Sequence, residues 1–225
     1  MTGAGPARVV LEQPERPTFL VLLTHGAGGA PDTVDIIAVR DAAQRLGAAT
    51  ALVTQPYRVK GAAAPGSAVK QDAAWAELVG VLRAKTAQDG TVLPLIQCGR
   101  SNGARVACRT AAHVGAAGVI ALAFPLNPPG KPGKSREEEL RGAGVSVLVI
   151  NGERDPFGVP KPDEATRVVI LPGEAHALSK DPSAVGAAVT TWLDQLFPAF
   201  LSAQPTPGGP GGRPPGGYRP RAVGR

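Results

Sequence analysis

The run Gly99-Arg100-Ser101-Asn102-Gly103 sets a hydroxyl between two glycines. The apolar Val92-Leu93-Pro94-Leu95-Ile96 precedes it, and the helical pattern Ala104-Arg105-Val106-Ala107-Cys108 follows. Strand, tight turn and helix in that order make a nucleophile elbow, with the serine projecting from the tip of a strained turn. A Cβ at Gly99 or Gly103 would crowd the neighbouring backbone, so the flanking glycines suit the turn. A serine hydroxyl is a poor nucleophile until a base takes its proton. The chain offers three histidines. His113 falls about three turns along the helix after the elbow, too far away, and reads as a surface residue. His25 precedes a glycine loop and reads as a brace for it through a hydrogen bond rather than as a base. His176, late in the chain, is the candidate base.

A histidine base needs a carboxylate to hold its tautomer and to stabilise the imidazolium. Asp155, three residues after Gly152 at a predicted strand end, is the best placed. Glu153 and Asp163 compete for the role, and Glu174 does so more weakly. The chain order Ser101, Asp155, His176 is that of α/β hydrolases, and differs from the orders of chymotrypsin and subtilisin. Acyl transfer also requires donors for an oxyanion. The backbone N–H of Asn102, directly after the serine, is one. The Gly26-Ala27-Gly28-Gly29 loop supplies the other, most simply through Ala27. Arg100, beside the serine, either attracts an anionic substrate or pairs with a carboxylate and braces the elbow; the second suits arginine better.

The elements that must position these residues alternate between strand and helix patterns. Arg8–Leu11, Thr18–Leu23, Ala49–Val53, Gly118–Phe124, Val145–Ile150 and Arg167–Leu171 read as strands, with another entering the elbow at Pro94. A helix after Asp32 or Thr33 turns Ile36, Val39, Ala43 and Leu46 to one face and stops at Gly47. A second runs from about Gln71 to Ala87, with Trp75, Leu78, Val79 and Leu82 inward. A short charged helix is expected near Arg136–Arg141. The last helix is capped by Asp181-Pro182 and buries Val185, Val189, Trp192, Leu193 and Leu196. Residues 54–70, with Tyr57, Arg58 and Lys60, read as a loop. This alternation predicts a mostly parallel sheet with helices on both faces. His25–Gly29, the elbow, Asp155 and His176 each follow a strand, so they converge on the carboxyl edge where such sheets bind ligands.

Composition narrows the class. The net charge of +6 is largely a property of residues 203–225, where Arg213, Arg219, Arg221 and Arg225 stand among Pro and Gly with no acid. Removing those four leaves 20 basic against 18 acidic residues, a net charge of +2, which shows no nucleic-acid footprint. The tail is expected to be disordered and solubilising without a partner, contact with RNA or an acidic surface being the alternative. Cys98 and Cys108 read as small buried thiols. Met1–Pro17 has no signal-peptide core and no apolar run approaches a membrane span, so a cytoplasmic protein without membrane contact is expected. Neither metal-ligand spacing nor a dinucleotide or phosphate loop occurs, so neither metal nor cofactor is expected. The excursion at 125–144 is too short for a large cap domain. An open site for small acyl substrates follows, on one domain spanning residues 1–202.

The chain resembles the small bacterial α/β-hydrolase family that also includes hydrolase-like proteins of animal testis and chromatin complexes. It is more distantly similar to dienelactone hydrolases. Four blocks carry the resemblance: Thr24–Gly29, Gly99–Arg105, Phe124–Pro132 and Asp155-Pro156-Phe157-Gly158. The resemblance spans about residues 8–200 and implies Ser101, Asp155 and His176 as a catalytic triad. Dienelactone hydrolases carry cysteine where this chain has Ser101, so lactone specificity is not implied. Asn102, Asn127 and Ala175 depart from the family, which often has methionine, histidine and an acidic residue there. The expected activity is hydrolysis of a small ester or thioester through an acyl-enzyme on Ser101. The chromatin-complex relatives imply a rival, a non-catalytic hydrolase-like binding module.

Overall fold

A computed structural model describes residues 1–128 and 134–198 of the 225-residue chain. The segment 129–133 of the Pro-Pro-Gly block and the tail at 203–225 lie outside the described residues. Seven strands among the described residues form one sheet: β1 (Arg8–Glu12), β2 (Phe19–Thr24), β3 (Ala48–Thr54), β4 (Leu95–Arg100), β5 (Gly118–Leu122), β6 (Ser146–Gly152) and β7 (Thr166–Leu171). Their spatial order is β1-β3-β2-β4-β5-β6-β7; β1 runs antiparallel to β3 and every other pair is parallel. The helices are α1 (Val34–Arg45), α2 (Pro56–Val59), α3 (Ala68–Thr86), α4 (Asn102–Thr110), α5 (Glu137–Arg141) and α6 (Pro182–Leu196).

Strand β2 shows why the sheet is covered on both faces. Its side chains alternate, and all six residues are buried. Leu20 and Leu22 enter a core with Trp75, Leu78, Val79 and Leu82 of α3 and Val106 and Ala107 of α4. Phe19, Val21 and Leu23 enter the opposite core, with Ile36 and Val39 of α1 and Val185, Val189 and Leu193 of α6. The mostly parallel, doubly covered sheet expected from the alternating pattern is the architecture observed.

The chain passes from β2 to β3 on one side, then crosses back so that β4 lies on the other side of β2. That reversal opens a crevice between the carboxyl ends of β2 and β4. In the register there, Thr24 pairs with Gly99, so the loop after β2 and the elbow after β4 emerge side by side.

Three local expectations are corrected. Residues 54–70 are not all loop: Pro56 at the first helical position, with its φ already set, starts the short α2, and the Gln55 carbonyl accepts from Arg58 and Val59. Helix α3 begins at Ala68 rather than Gln71, because the Ser67 hydroxyl caps it by accepting from the Lys70 amide. Thr33 occupies the N-cap of α1, but its hydroxyl makes no capping bond. Among the described residues, no helix is long and apolar enough to cross a membrane.

Leu22 is fully buried at the centre of the sheet. Leu22→Ala is expected to cost about 2–5 kcal/mol of stability. The check is urea denaturation, with a lower midpoint at an unchanged slope.

Candidate active site

The elbow is built by close packing. Ser101 sits at φ 52° as the turn between β4 and α4, a region that side chains rarely adopt. Its amide donates to the Leu122 carbonyl of β5 at 2.9 Å, which ties the tip to the sheet. A Cβ on Gly99 would overlap the Gly103 carbonyl, and one on Gly103 would come within 2.7 Å of the His25 carbonyl oxygen. Both glycines are therefore required by contact, as the motif suggests. The half-buried Ser101 hydroxyl lies 3.0 Å from His176 Nε2.

His176 Nδ1 lies 2.9 Å from Asp155 Oδ2. A carboxylate accepts, so Nδ1 carries the proton and Nε2 is left to accept from the serine. The Asp155 side chain is fully buried. Its Oδ1 accepts from the Phe157 amide at 2.9 Å, and its Oδ2 also accepts from Asn151 Nδ2 at 3.2 Å. Asn151 is itself fixed, accepting from the Phe124 amide at 2.9 Å. The Phe157 ring meets the His176 imidazole edge-on, with centroids 4.6 Å apart. The competing carboxylates are engaged elsewhere. Glu174 accepts from the amides of Ser179, Lys180 and Asp181, Glu153 from that of Gly173, and Asp163 from those of Ala165 and Thr166.

Arg100 pairs with a carboxylate, the arrangement that suits the second of the two roles its position allows. Its Nε donates to the fully buried Asp35 carboxylate at 2.9 Å, and its Nη2 donates to the His176 carbonyl at 2.9 Å. One guanidinium thus joins α1, the elbow and the loop that carries the imidazole.

His25 is also a brace. Its Nε2 lies 3.0 Å from the Gln55 amide, which can only donate. Nε2 is therefore bare and Nδ1 carries the proton, donated to the Gly26 carbonyl at 2.8 Å. That carbonyl also accepts from the Gly29 amide, and the Tyr57 hydroxyl donates to the Ala27 carbonyl at 2.9 Å. In a trans peptide the Gly26 carbonyl and the Ala27 N–H point in opposite directions. Clamping the first aims the second. The amides of Ala27 and Asn102 donate to no protein acceptor among the described residues.

Sequence reading missed Tyr57, Gln71, Asn151, Phe157 and the identity of Asp35 as the partner of Arg100. Gln71 accepts from the Asn102 side chain at 2.7 Å. Asn151, an amide on the strand that delivers Asp155, and Phe157, within the block Asp155–Gly158, had local signals. His113 is exposed, as expected. Cys98 and Cys108 are free and buried, and burial pushes both thiols up, Cys108 to about 12. Among the described residues, no three His, Cys, Asp or Glu side chains could together hold a metal ion.

A family model described as an alpha/beta hydrolase domain matches residues 17–177. No curated protein matches the chain by sequence. Among solved structures, the fold is similar to an alpha-beta serine hydrolase homologue from Coxiella burnetii, at TM-score 0.70 and 15% identity over 86% of this chain and 94% of that one. It is similar to an α/β serine hydrolase without lid from Xanthomonas campestris, at TM-score 0.68 and 18% identity over 91% and 94%. A dienelactone hydrolase from Anabaena variabilis aligns at TM-score 0.66 and 20% identity over 89% and 95%. At these identities the likeness describes the fold.

The buried His25 has a testable titration. Burial, with Arg58 nearby, lowers its pKa below the ordinary 6.5, against the opposing hydrogen bond to Gly26. The unfolded chain therefore binds this proton at a higher pH than the folded one. The resulting stability is full above about pH 6.5 and is lost as pH falls from there through the folded pKa. Thermal midpoints should drop with acidification in the wild type, and this part of the slope should vanish in His25→Gln. Parallel slopes in the two proteins would contradict a neutral His25.

Proposed function

This chain belongs to the alpha/beta hydrolase domain family, and on that footing we propose that it is a serine hydrolase cleaving a small ester or thioester through an acyl-enzyme on Ser101. The observation that carries the reading is the continuous hydrogen-bonded line from the Ser101 hydroxyl through His176 to the buried Asp155 carboxylate. A scaffold has no need of that alignment at a strained turn.

The steps follow from the atoms present. Ser101 Oγ attacks the acyl carbon as its proton passes to His176 Nε2. The new imidazolium is stabilised by Asp155, and the tetrahedral oxyanion is held by the amides of Ala27 and Asn102. Collapse breaks the bond to the leaving alcohol or thiol, which takes the proton from Nε2. Water then attacks the acyl-enzyme, gives one proton to Nε2 and releases the acid; that proton returns to Ser101. His25 and Tyr57 act on this chemistry only by holding the loop that presents Ala27. Arg100 acts by holding the imidazole's backbone and the elbow together.

Labelling by a fluorophosphonate probe tests the reading. Wild type should label, Ser101→Ala and His176→Ala should not, and Asp155→Asn should lose roughly 10⁴-fold in kcat on an activated ester. A folded wild type that takes no label would overturn the proposal and favour the binding-module alternative. Arg100→Met should lower kcat about 10- to 100-fold with little change in KM, since it displaces the base rather than the substrate. An increase in KM alone would instead assign Arg100 to substrate contact.

A further inference from the structure

Beside the site, between α2 and the first half of α3, lies a cavity of about 190 Å³. Its floor is apolar, made by Pro56, Ala74, Trp75 and Leu78. Its inner wall is made by Tyr57 and Gln71, the two side chains that touch the proposed oxyanion residues: Tyr57 donates to the Ala27 carbonyl and Gln71 accepts from the Asn102 side chain. The cavity is therefore adjacent, through Tyr57 and Gln71, to the residues that would hold the acyl oxygen.

The strand order decides which part of a substrate would enter it. Ser101 follows β4, the base and its acid follow β7 and β6, and the cavity follows β3, across β2. A leaving group must lie against His176 Nε2 to receive its proton. It therefore occupies the β6–β7 side of Ser101, which leaves the β3 side, where the cavity lies, to the acyl group. At about 30 Å³ per water-sized group, the volume holds roughly six such groups, enough for a short chain.

Charge decides what the acyl group carries. Lys60 and Lys70 both line the cavity, no acidic residue lines it, and neither lysine forms an ion pair among the described residues. The same two lysines also border the adjoining outer cavity, where Glu77 is engaged by the Gly3 amide at 2.7 Å. An apolar pocket with two unpaired ammonium groups matches a short hydrocarbon chain ending in an anion. We propose that this cavity is the acyl subsite and that the substrate is a half-ester or half-thioester of a short dicarboxylic acid. Its free carboxylate would be met by Lys60 and Lys70. This rests on the serine-hydrolase reading above.

The test compares mono-p-nitrophenyl glutarate with p-nitrophenyl pentanoate, a neutral ester of the same chain length. The charged ester should have the higher kcat/KM, with an advantage that shrinks as salt is raised. In Lys60→Glu/Lys70→Glu the ratio of charged to neutral ester should fall about 10-fold. Equal rates for the two esters, or a ratio unmoved by the double substitution, would overturn the proposal. Binding is read separately in Ser101→Ala/Trp192→Phe, where Trp75 remains as the one fluorophore of its kind. Monomethyl glutarate should change its fluorescence saturably, and the double lysine substitution should weaken that response. A response without fluorophosphonate labelling of the wild type would sink the hydrolase reading alone. Labelling without a response would sink the subsite alone.

Discussion

The turn after β4 has to carry its backbone almost onto the end of β2, and most of the local architecture answers to that approach. Gly103 packs against the His25 carbonyl, Gly99 packs against Gly103, and a Cβ on Gly26 would meet Ser101 Cβ at 3.3 Å. Three glycines from two strand ends let the loop and the elbow share one small volume. The parallel register that pairs Thr24 with Gly99 supplies the alignment, and the Ser101 amide bond to Leu122 supplies the anchor. Ser101 keeps an unfavourable φ because so many contacts determine its position at once.

Around this contact, buried polar groups act by fixing directions rather than by adding stability. A buried ion pair is weak evidence for stability, since desolvation offsets much of its attraction. Asp35 and Arg100 still have a clear consequence: they hold the carbonyl of His176 relative to the elbow. Asn151 likewise spends both ends of its amide on Phe124 and Asp155. His25 is held in one tautomer by the amide of Gln55, and burial disfavours its charged form. Each of these side chains sets the orientation of a neighbour that faces the crevice.

What was legible in the chain follows from the range over which each signal acts. Periodicity and glycine placement are local, so the strands, the elbow and the chain order of Ser101, Asp155 and His176 could be read directly. His25 as a brace and Arg100 as an ion-pair former were legible as residue chemistry, but their partners were not. Asp35 lies 65 residues from Arg100 and Gln55 lies 30 from His25; such meetings are made by tertiary packing. Helix α2 was missed because four residues offer no periodicity, and the start of α3 because its cap, Ser67, stands within a loop-like composition. Tyr57 and Gln71 had no signal at all, since their roles come from Ala27 in the loop after β2 and Asn102 at the start of α4.

The His176 imidazole and the Asp155 carboxylate follow β7 and β6, whereas the Ser101 hydroxyl follows β4 at the sheet centre. Among the described residues β7 has a single strand neighbour and leaves Ile170 half exposed, so it forms one of the two margins of the sheet. Fraying of that margin would separate the imidazole from the serine while both cores stayed closed. Mild denaturant would then undo the line from Ser101 to His176 before the fold itself is lost, and dilution would restore it without refolding of the centre.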